Sequence, residues 1–376
     1  MAVTPYDEFM IHQTVATVDQ LTNSDPQWTE RVWLSAFEKS GAFQLLFGFG
    51  KYHNRNVMDG SVALVVDGKV QYNVRASRKM WPDLDRYAVG PIEYSIPEPL
   101  QTVRIVTGAN ESGFSCDVRF LGETQVYQQE PPMFRRRAGR TVNHMIRYFQ
   151  TGTLEGWIEV EGRRIDVRRA DWWASRDRSW GVRSNTTERT APDGQSTGSM
   201  GLVEPPGEGI PYRWNFFTMQ FDDWNASFEF AQTPDGHRLG PALGHLQHAA
   251  HTGRGPQKIV HVDHAWDFAP DGVRLQGIRS TLHLDDGSTK DISMEPVSIG
   301  YRRPGGGHYG GYGDWVQGAW LGDLRVEGDK LELTDALTAE LHNVEDYALK
   351  LQHEGNVGWG IAEPLIPGIG ELLTTD

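Results

Sequence analysis

Ser61-Val62-Ala63-Leu64-Val65-Val66-Asp67-Gly68-Lys69-Val70-Gln71-Tyr72-Asn73-Val74 reads as two strands joined by a tight turn. β-Branched and aromatic residues favour extended backbone, and Asp-Gly supplies the positive φ angles that a two-residue hairpin turn requires. The theme recurs along the chain. Glu161-Gly162 divides 157–160 from 163–167, Asp271-Gly272 divides 261–268 from 273–278, and Asp286-Gly287 divides 280–284 from 289–294. Gly328-Asp329 is read in the same way, between 324–327 and 330–333. Further strands are expected at 42–50, 91–96, 101–107, 113–121 and 143–151. Residues 26–33 read as a short helix or turn, and 238–251 is the best helix candidate. Closely spaced strands with almost no helical periodicity predict an all-β chain of antiparallel barrels or sandwiches.

Length and composition bound the rest. The 376 residues suit two domains. Residues 1–25 read as a lead-in, 26–190 as the first β domain and 211–376 as the second. Residues 184–210, rich in Ser, Thr, Gly and Pro, break the strand pattern, and 191–210 is taken as the linker or loop. A net charge of −14 argues against nucleic acid or an anionic membrane as partner. No apolar run is long enough to span a bilayer. The lone Cys116 excludes an intrachain disulfide framework, and no secretory signal precedes Met10, so a cytoplasmic location is expected. The reading leaves a homodimer open.

The richest stretch chemically is Asp171-Trp172-Trp173-Ala174-Ser175-Arg176-Asp177-Arg178-Ser179-Trp180-Gly181-Val182-Arg183. On a strand, Trp173, Ser175, Asp177 and Ser179 share one face, and Trp172, Ala174, Arg176, Arg178 and Trp180 share the other. Neither face is cleanly apolar, which suits a pocket wall. The alternative is a structural Arg–Asp pair pinning a domain junction.

Two patterns match catalytic motifs by letter only, and one histidine cluster has a spacing suited to a metal. Gly194-Gln195-Ser196-Thr197-Gly198 lacks the strand and helix that a nucleophile elbow needs. Gly305-Gly306-Gly307-His308-Tyr309-Gly310 lacks the following helix whose N-terminus would hold a pyrophosphate. It reads as an aromatic-rich loop. His245, His248 and His251 would share part of a face on a helix, but Gly244 and Gly253 flank them closely. On the strand 261–268, His261 and Asp263 face one way and His264 the other, so one ion cannot take all three. No metal or other cofactor is expected.

Arg176-Asp177-Arg178-Ser179-Trp180-Gly181-Val182-Arg183, together with Gly358-Trp359-Gly360-Ile361-Ala362-Glu363, resembles the AttH/carotenoid-hydratase-like family, also called the hydroxyneurosporene synthase-like family. The resemblance covers the chain from about residue 30. It implies two lipocalin-like β-barrels in tandem with a ligand cavity near their junction. Family members include carotenoid hydratases, plant-toxin hydratases and fungal pericyclases, and others have no assigned activity. Relatives often carry His where Arg178 stands.

Hydration of a double bond, or its reverse, needs an acid to move a proton at carbon and a base to handle water. A carboxyl in an apolar, tryptophan-lined pocket is raised in pKa and can be that acid. Asp177 is the first candidate, with Asp263 and His264 as catalytic partners from the second half. Trp173, Trp180, Trp266, Tyr309, Tyr312 and Trp315 are candidates to line the substrate site, where aromatic faces stabilise developing positive charge. Arg176, Arg178, Arg183 and Glu363 are expected to support it. The resulting expectation is a cofactor-independent lyase or hydratase of an apolar small molecule: terpenoid, steroid-like or aromatic. The alternatives are a lipocalin-like binding protein and a pericyclase or isomerase.

Overall fold

Runs of β-branched, aromatic and alternating apolar side chains make most of the described residues extended. The computed structural model describes residues 5–10, 12–137, 140–183, 213–233, 237–270, 274–309, 311–342 and 344–365. The first half forms β1 Trp28–Glu38, β2 Phe43–Tyr52, β3 Val57–Val66, β4 Val70–Lys79, β5 Ala88–Val89, β6 Ile92–Glu98, β7 Thr102–Thr107, β8 Phe114–Gly122, β9 Tyr127–Gln128, β10 Met133–Arg137, β11 Arg140–Val160, β12 Arg163–Val167 and β13 Trp172–Arg183. The second half forms β14 Arg213–Gln220, β15 Trp224–Gln232, β16 Arg238–His248, β17 Gln257–Phe268, β18 Leu275–Leu284, β19 Thr289–Tyr301, α1 Arg302–Gly305, β20 Leu324–Glu332, α2 Asp335–Leu341, β21 Glu345–His353 and β22 Asn356–Leu365.

These elements make two barrel-like domains in tandem. The first is a 14-stranded antiparallel sheet that curls in the order β20-β4-β3-β2-β1-β13-β11-β8-β7-β6-β5. The second closes completely as β14-β15-β16-β17-β18-β19-β21-β22. Barrel one packs Leu34, Phe47, Leu64, Val74, Phe120 and Trp172 inside, and barrel two packs Phe217, Phe228, Leu246, Val262, Leu282 and Tyr347. Burying such side chains stabilises each barrel by about 1.5–3 kcal/mol apiece.

The expected hairpins at Asp67-Gly68, Glu161-Gly162 and Asp286-Gly287 form. Asp67 and Gly68 take φ of 50° and 62°, and Glu161 and Gly162 take 50° and 78°. Asp271-Gly272 lies outside the described residues, as do the linker 191–210 and the Gly194–198 motif. Three local readings are corrected. Residues 28–33 open β1, not a helix or turn: Arg31 and Trp33 face one side and Val32 and Leu34 the other. The stretch 238–251 is the strand β16 followed by a short turn, because Ala242 and Leu246 alternate into the barrel. Gly328-Asp329 is not a turn but the middle of β20, which pairs along its length with β4. Gly328 is required there because a Cβ would sit 2.7 Å from the Ser112 amide nitrogen, and Asp329 binds Arg75 at 2.5 Å. Thus one strand from the second half of the sequence completes the first sheet.

The outer face of β1–β4 is polar yet buried: Arg31, Ser35, Gln44, Asp59, Ser61, Asn73 and Arg75 are almost inaccessible. Barrel two and the segment after α1 cover it. Arg31 donates to the Gly307 carbonyl at 2.9 Å, Arg75 to the Pro304 carbonyl, and the Gly307 amide to Ser61 Oγ. Gly48 is the floor beneath this loop. A Cβ there would meet the Gly307 Cα at 2.5 Å, backbone against backbone. Gly48→Ala is therefore expected to destabilise the protein by ~1–3 kcal/mol. Gly255→Ala, which meets nothing within 4 Å, serves as the control in urea titrations.

Candidate active site at the barrel junction

β13 runs between β1 and β11, and its odd-numbered residues face barrel two. The register puts Trp33, Asp177 and Phe149 in one row across the sheet, and Arg31, Ser179 and Arg147 in the next. At one end, Trp173 packs with Phe37, Ala348 and Ile361, and its Nε1 donates to Gln220 Oε1 at 3.2 Å. Thr218 donates to Ser175 at 2.9 Å. This apolar seam holds the barrels together and leaves the Asp177 row beside it.

Asp177 is half-buried. Burial, the largest influence, pushes its carboxyl up to about 6; Arg147, Arg183 and Arg31 oppose the shift and Glu363 reinforces it. Arg147 binds Glu229 across the junction and donates to Gln129 Oε1 at 3.0 and 2.9 Å. Its guanidinium lies 4.7 Å from the Phe149 ring centre and 5.2 Å from that of Phe216. Burial is the largest single influence and works against its charge, but Glu229, Asp177 and Glu363 together outweigh it, so its pKa is raised. Tyr309 reaches in from the loop after α1. Its ring meets Trp33 edge-on at 5.6 Å, and Arg302, Arg31 and Arg183 stand 5.0, 5.6 and 5.7 Å from its centre. Arg302 binds Glu363 at 2.6 Å. A cavity of about 10 Å³ between Gln129, Phe149, Phe216 and Glu229 has room for one water.

The structure brings Asp177, Arg183, Tyr309 and Glu363 together and leaves the other candidates elsewhere. Asp263 is exposed on the outside of barrel two, where His261 and His283 hold it at 3.1 and 2.7 Å. The hydrogen bonds from His283 and His261 lower its pKa, the reverse of what an acid donor needs. β17 is four places round the closed barrel from β22, so Asp263 does not converge on Asp177. His264 points into the barrel against Phe230 at 4.5 Å, and Trp266 packs there on Phe217 at 5.9 Å. Trp180, Arg176 and Arg178 lie on the opposite face of β13: Arg176 donates to Gln150 and Arg178 binds Glu30. Tyr312 and Trp315 pack on Arg75, at 5.1 and 5.9 Å, over the outer face of β4.

His245 stacks on Tyr127 at 4.0 Å, His248 meets Gln257 at 2.7 Å and His251 meets Asp223 at 2.9 Å, so the three diverge. Among the described residues, no group of three or more His, Cys, Asp or Glu side chains is placed to hold a metal ion. No helix among them is long and apolar enough to cross a membrane.

Sequence reasoning missed Arg31, Arg147, Glu229 and Arg302. For Arg31, Arg147 and Glu229 the signal was present as charged residues on strands beside apolar neighbours, and Arg302 opens α1, but the partner of each lies far away in sequence. Chemically, the arrangement offers a carboxyl near its midpoint at mild pH, a tyrosine hydroxyl beside arginines, and aromatic walls from Trp33, Phe149 and Phe216.

Comparison with known proteins gives the fold. An AttH-like protein from Nitrosomonas europaea is 15% identical, with 91% of this chain and 93% of that chain covered at a TM-score of 0.52. CghA with Sch210972 is 10% identical, covering 92% and 90%, at 0.50. Kievitone hydratase from Nectria haematococca, 10% identical and covering 94% and 93%, aligns at 0.40. No curated protein matches the sequence. The chain thus has the tandem barrel architecture of the AttH-like lipocalin-fold proteins. Residues 3–371 match the profile of a family of unknown function, DUF8625, and the chain belongs to that family.

Proposed function

We propose that this protein is a cofactor-independent lyase or hydratase that acts on an apolar small molecule, with Asp177 as the acid. The observation that carries the reading is the Asp177 carboxyl itself: half-buried at the junction, raised to about 6, and walled by Trp33 and Phe149. A carboxyl of this kind is protonated often enough near neutral pH to give its proton to an alkene carbon, and ionised often enough to take one back. Tyr309 and Arg183 are the groups suited to hold a substrate oxygen, and the aromatic faces suit a terpenoid, steroid-like or aromatic skeleton. Asp263 and His264 have no part in it. The alternative reading is a binding protein, supported by the fold of CghA having been solved with Sch210972.

Native mass spectrometry of freshly purified protein, followed by identification of anything released on denaturation, separates the two. An oxygenated apolar compound that exchanges its hydroxyl in heavy-oxygen water is the result expected of a hydratase. A ligand recovered unchanged after prolonged incubation, in wild type and Asp177→Asn alike, would favour the binding protein.

A further inference from the structure

Asp346 and Glu363 stand on neighbouring strands of barrel two, one residue beyond the last paired rung, Tyr347 with Ala362. Both are buried, at 0% and 4% exposure. Arg302 from α1, 1% exposed, lies against the same pair and donates through Nη1 to Glu363 Oε2. Both oxygens of Asp346, Oε1 of Glu363 and Nε and Nη2 of Arg302 are buried without a well-formed hydrogen bond to the described protein atoms, and the Ser35 hydroxyl is the hydrogen-bond donor that weighs on Asp346. Two carboxylates and one guanidinium would leave a net negative charge in a site closed to bulk water, which is costly. One proton on the pair removes it.

We propose that Asp346 and Glu363 share a single proton, carried on Asp346 while Glu363 stays ionised against Arg302, and that this pair is the positioning group that sets the charge facing Asp177. The proposal rests on the reading of Asp177 as the acid and names the second half of its machinery. Glu363 is the link: it pairs with Phe216 of β14, whose ring packs at 4.9 Å on Phe149, the cross-strand neighbour of Asp177, and its charge is felt by Asp346 on one side and by Asp177 and Arg147 on the other. Arg31 from β1 and Arg183 from β13 also weigh on Asp177. Arg302 comes from α1, Ser35 from β1, Arg147 from β11, Asp177 from β13 and Tyr309 from the loop beyond α1. Burial and Glu363 both push the Asp346 carboxyl well above the usual range, with Arg302 and Ser35 opposing them. An ionised Glu363 repels a second negative charge at Asp177 and so keeps the acid protonated to higher pH.

Two substrate-free measurements on the full chain test this. Infrared spectra in heavy water are expected to show a protonated carboxyl band that persists at pH 8 in wild type and is missing in Asp346→Asn. Carbon-13 NMR of aspartate-labelled protein reads the Asp177 midpoint. Glu363→Gln is expected to lower that midpoint by about one pH unit, and Asp346→Asn, already neutral in this account, to leave it in place. Absence of the band at pH 8, its survival in Asp346→Asn, or an equal fall of the midpoint in both variants would overturn the proposal. Failure of Asp346→Asn to fold would overturn it too, because the amide replaces a neutral acid. Should Glu363→Gln not fold, wild type and Asp346→Asn still decide. A protein with this shared proton and no turnover on any substrate would sink the catalytic reading alone.

Discussion

Asp177→Asn is expected to lower turnover about 10²–10⁴-fold, the usual worth of one general acid, with the fold intact. The amide fills the same volume and keeps the row Trp33–Asp177–Phe149 in place. It removes the ionisable proton and, above about pH 6, the negative charge. The variant also has a stability signature. A carboxyl whose folded pKa is about 6, against an ordinary value of 3.8, holds its proton longer in the folded state. Its contribution to stability is therefore complete below about pH 4 and lost as pH rises through about 6. Relative to wild type, Asp177→Asn should gain on the order of 2–3 kcal/mol across that window, read by urea unfolding at pH 4 and pH 7. Turnover in wild type should fall above pH 6 for the same reason.

Arg147→Met is expected to cost about 3–5 kcal/mol, because it strands Glu229 at 7% exposure without its partner. The methionine keeps an apolar side chain beside the Phe149 and Phe216 rings that the guanidinium faces, so most of the loss belongs to the charge. The double variant Arg147→Met with Glu229→Gln should recover most of the stability, since both halves of the buried pair are then neutral. In the single variant the Asp177 midpoint should rise, as the strongest opposing cation is gone. A loss under ~1 kcal/mol in urea titration would show that water reaches the pair and screens it.

Much of the architecture was written locally. Asp-Gly at 67–68 and Glu-Gly at 161–162 mark true hairpins because both positions take positive φ, a property of the residues themselves. Alternation along 171–183 correctly divides β13 into the face of Trp173, Ser175 and Asp177 and the face of Trp172 and Arg176. What failed was whatever depends on a distant partner. Gly328-Asp329 resembles a turn in letters, yet glycine is needed for the approach to Ser112 and the aspartate for Arg75. Asp263 and His264 offer acid and base residue types just before Trp266 in an extended run, and nothing local says that β17 faces away from the junction. Arg147, 82 residues before Glu229, and Arg302, 61 before Glu363, illustrate the same limit. The partners of a buried charge are set by which sheet faces meet.

The most direct test of Asp177 as a buried acid is its own titration. Aspartate-labelled wild type and Asp177→Asn, compared by carbon-13 NMR between pH 3 and pH 8, isolate that one carboxyl. The account predicts a resonance missing from the variant whose midpoint lies near 6. A midpoint below the ordinary aspartate value of 3.8 would mean that Arg147, Arg183 and Arg31 hold Asp177 as a permanent carboxylate, and would reduce it to a structural ion at the junction.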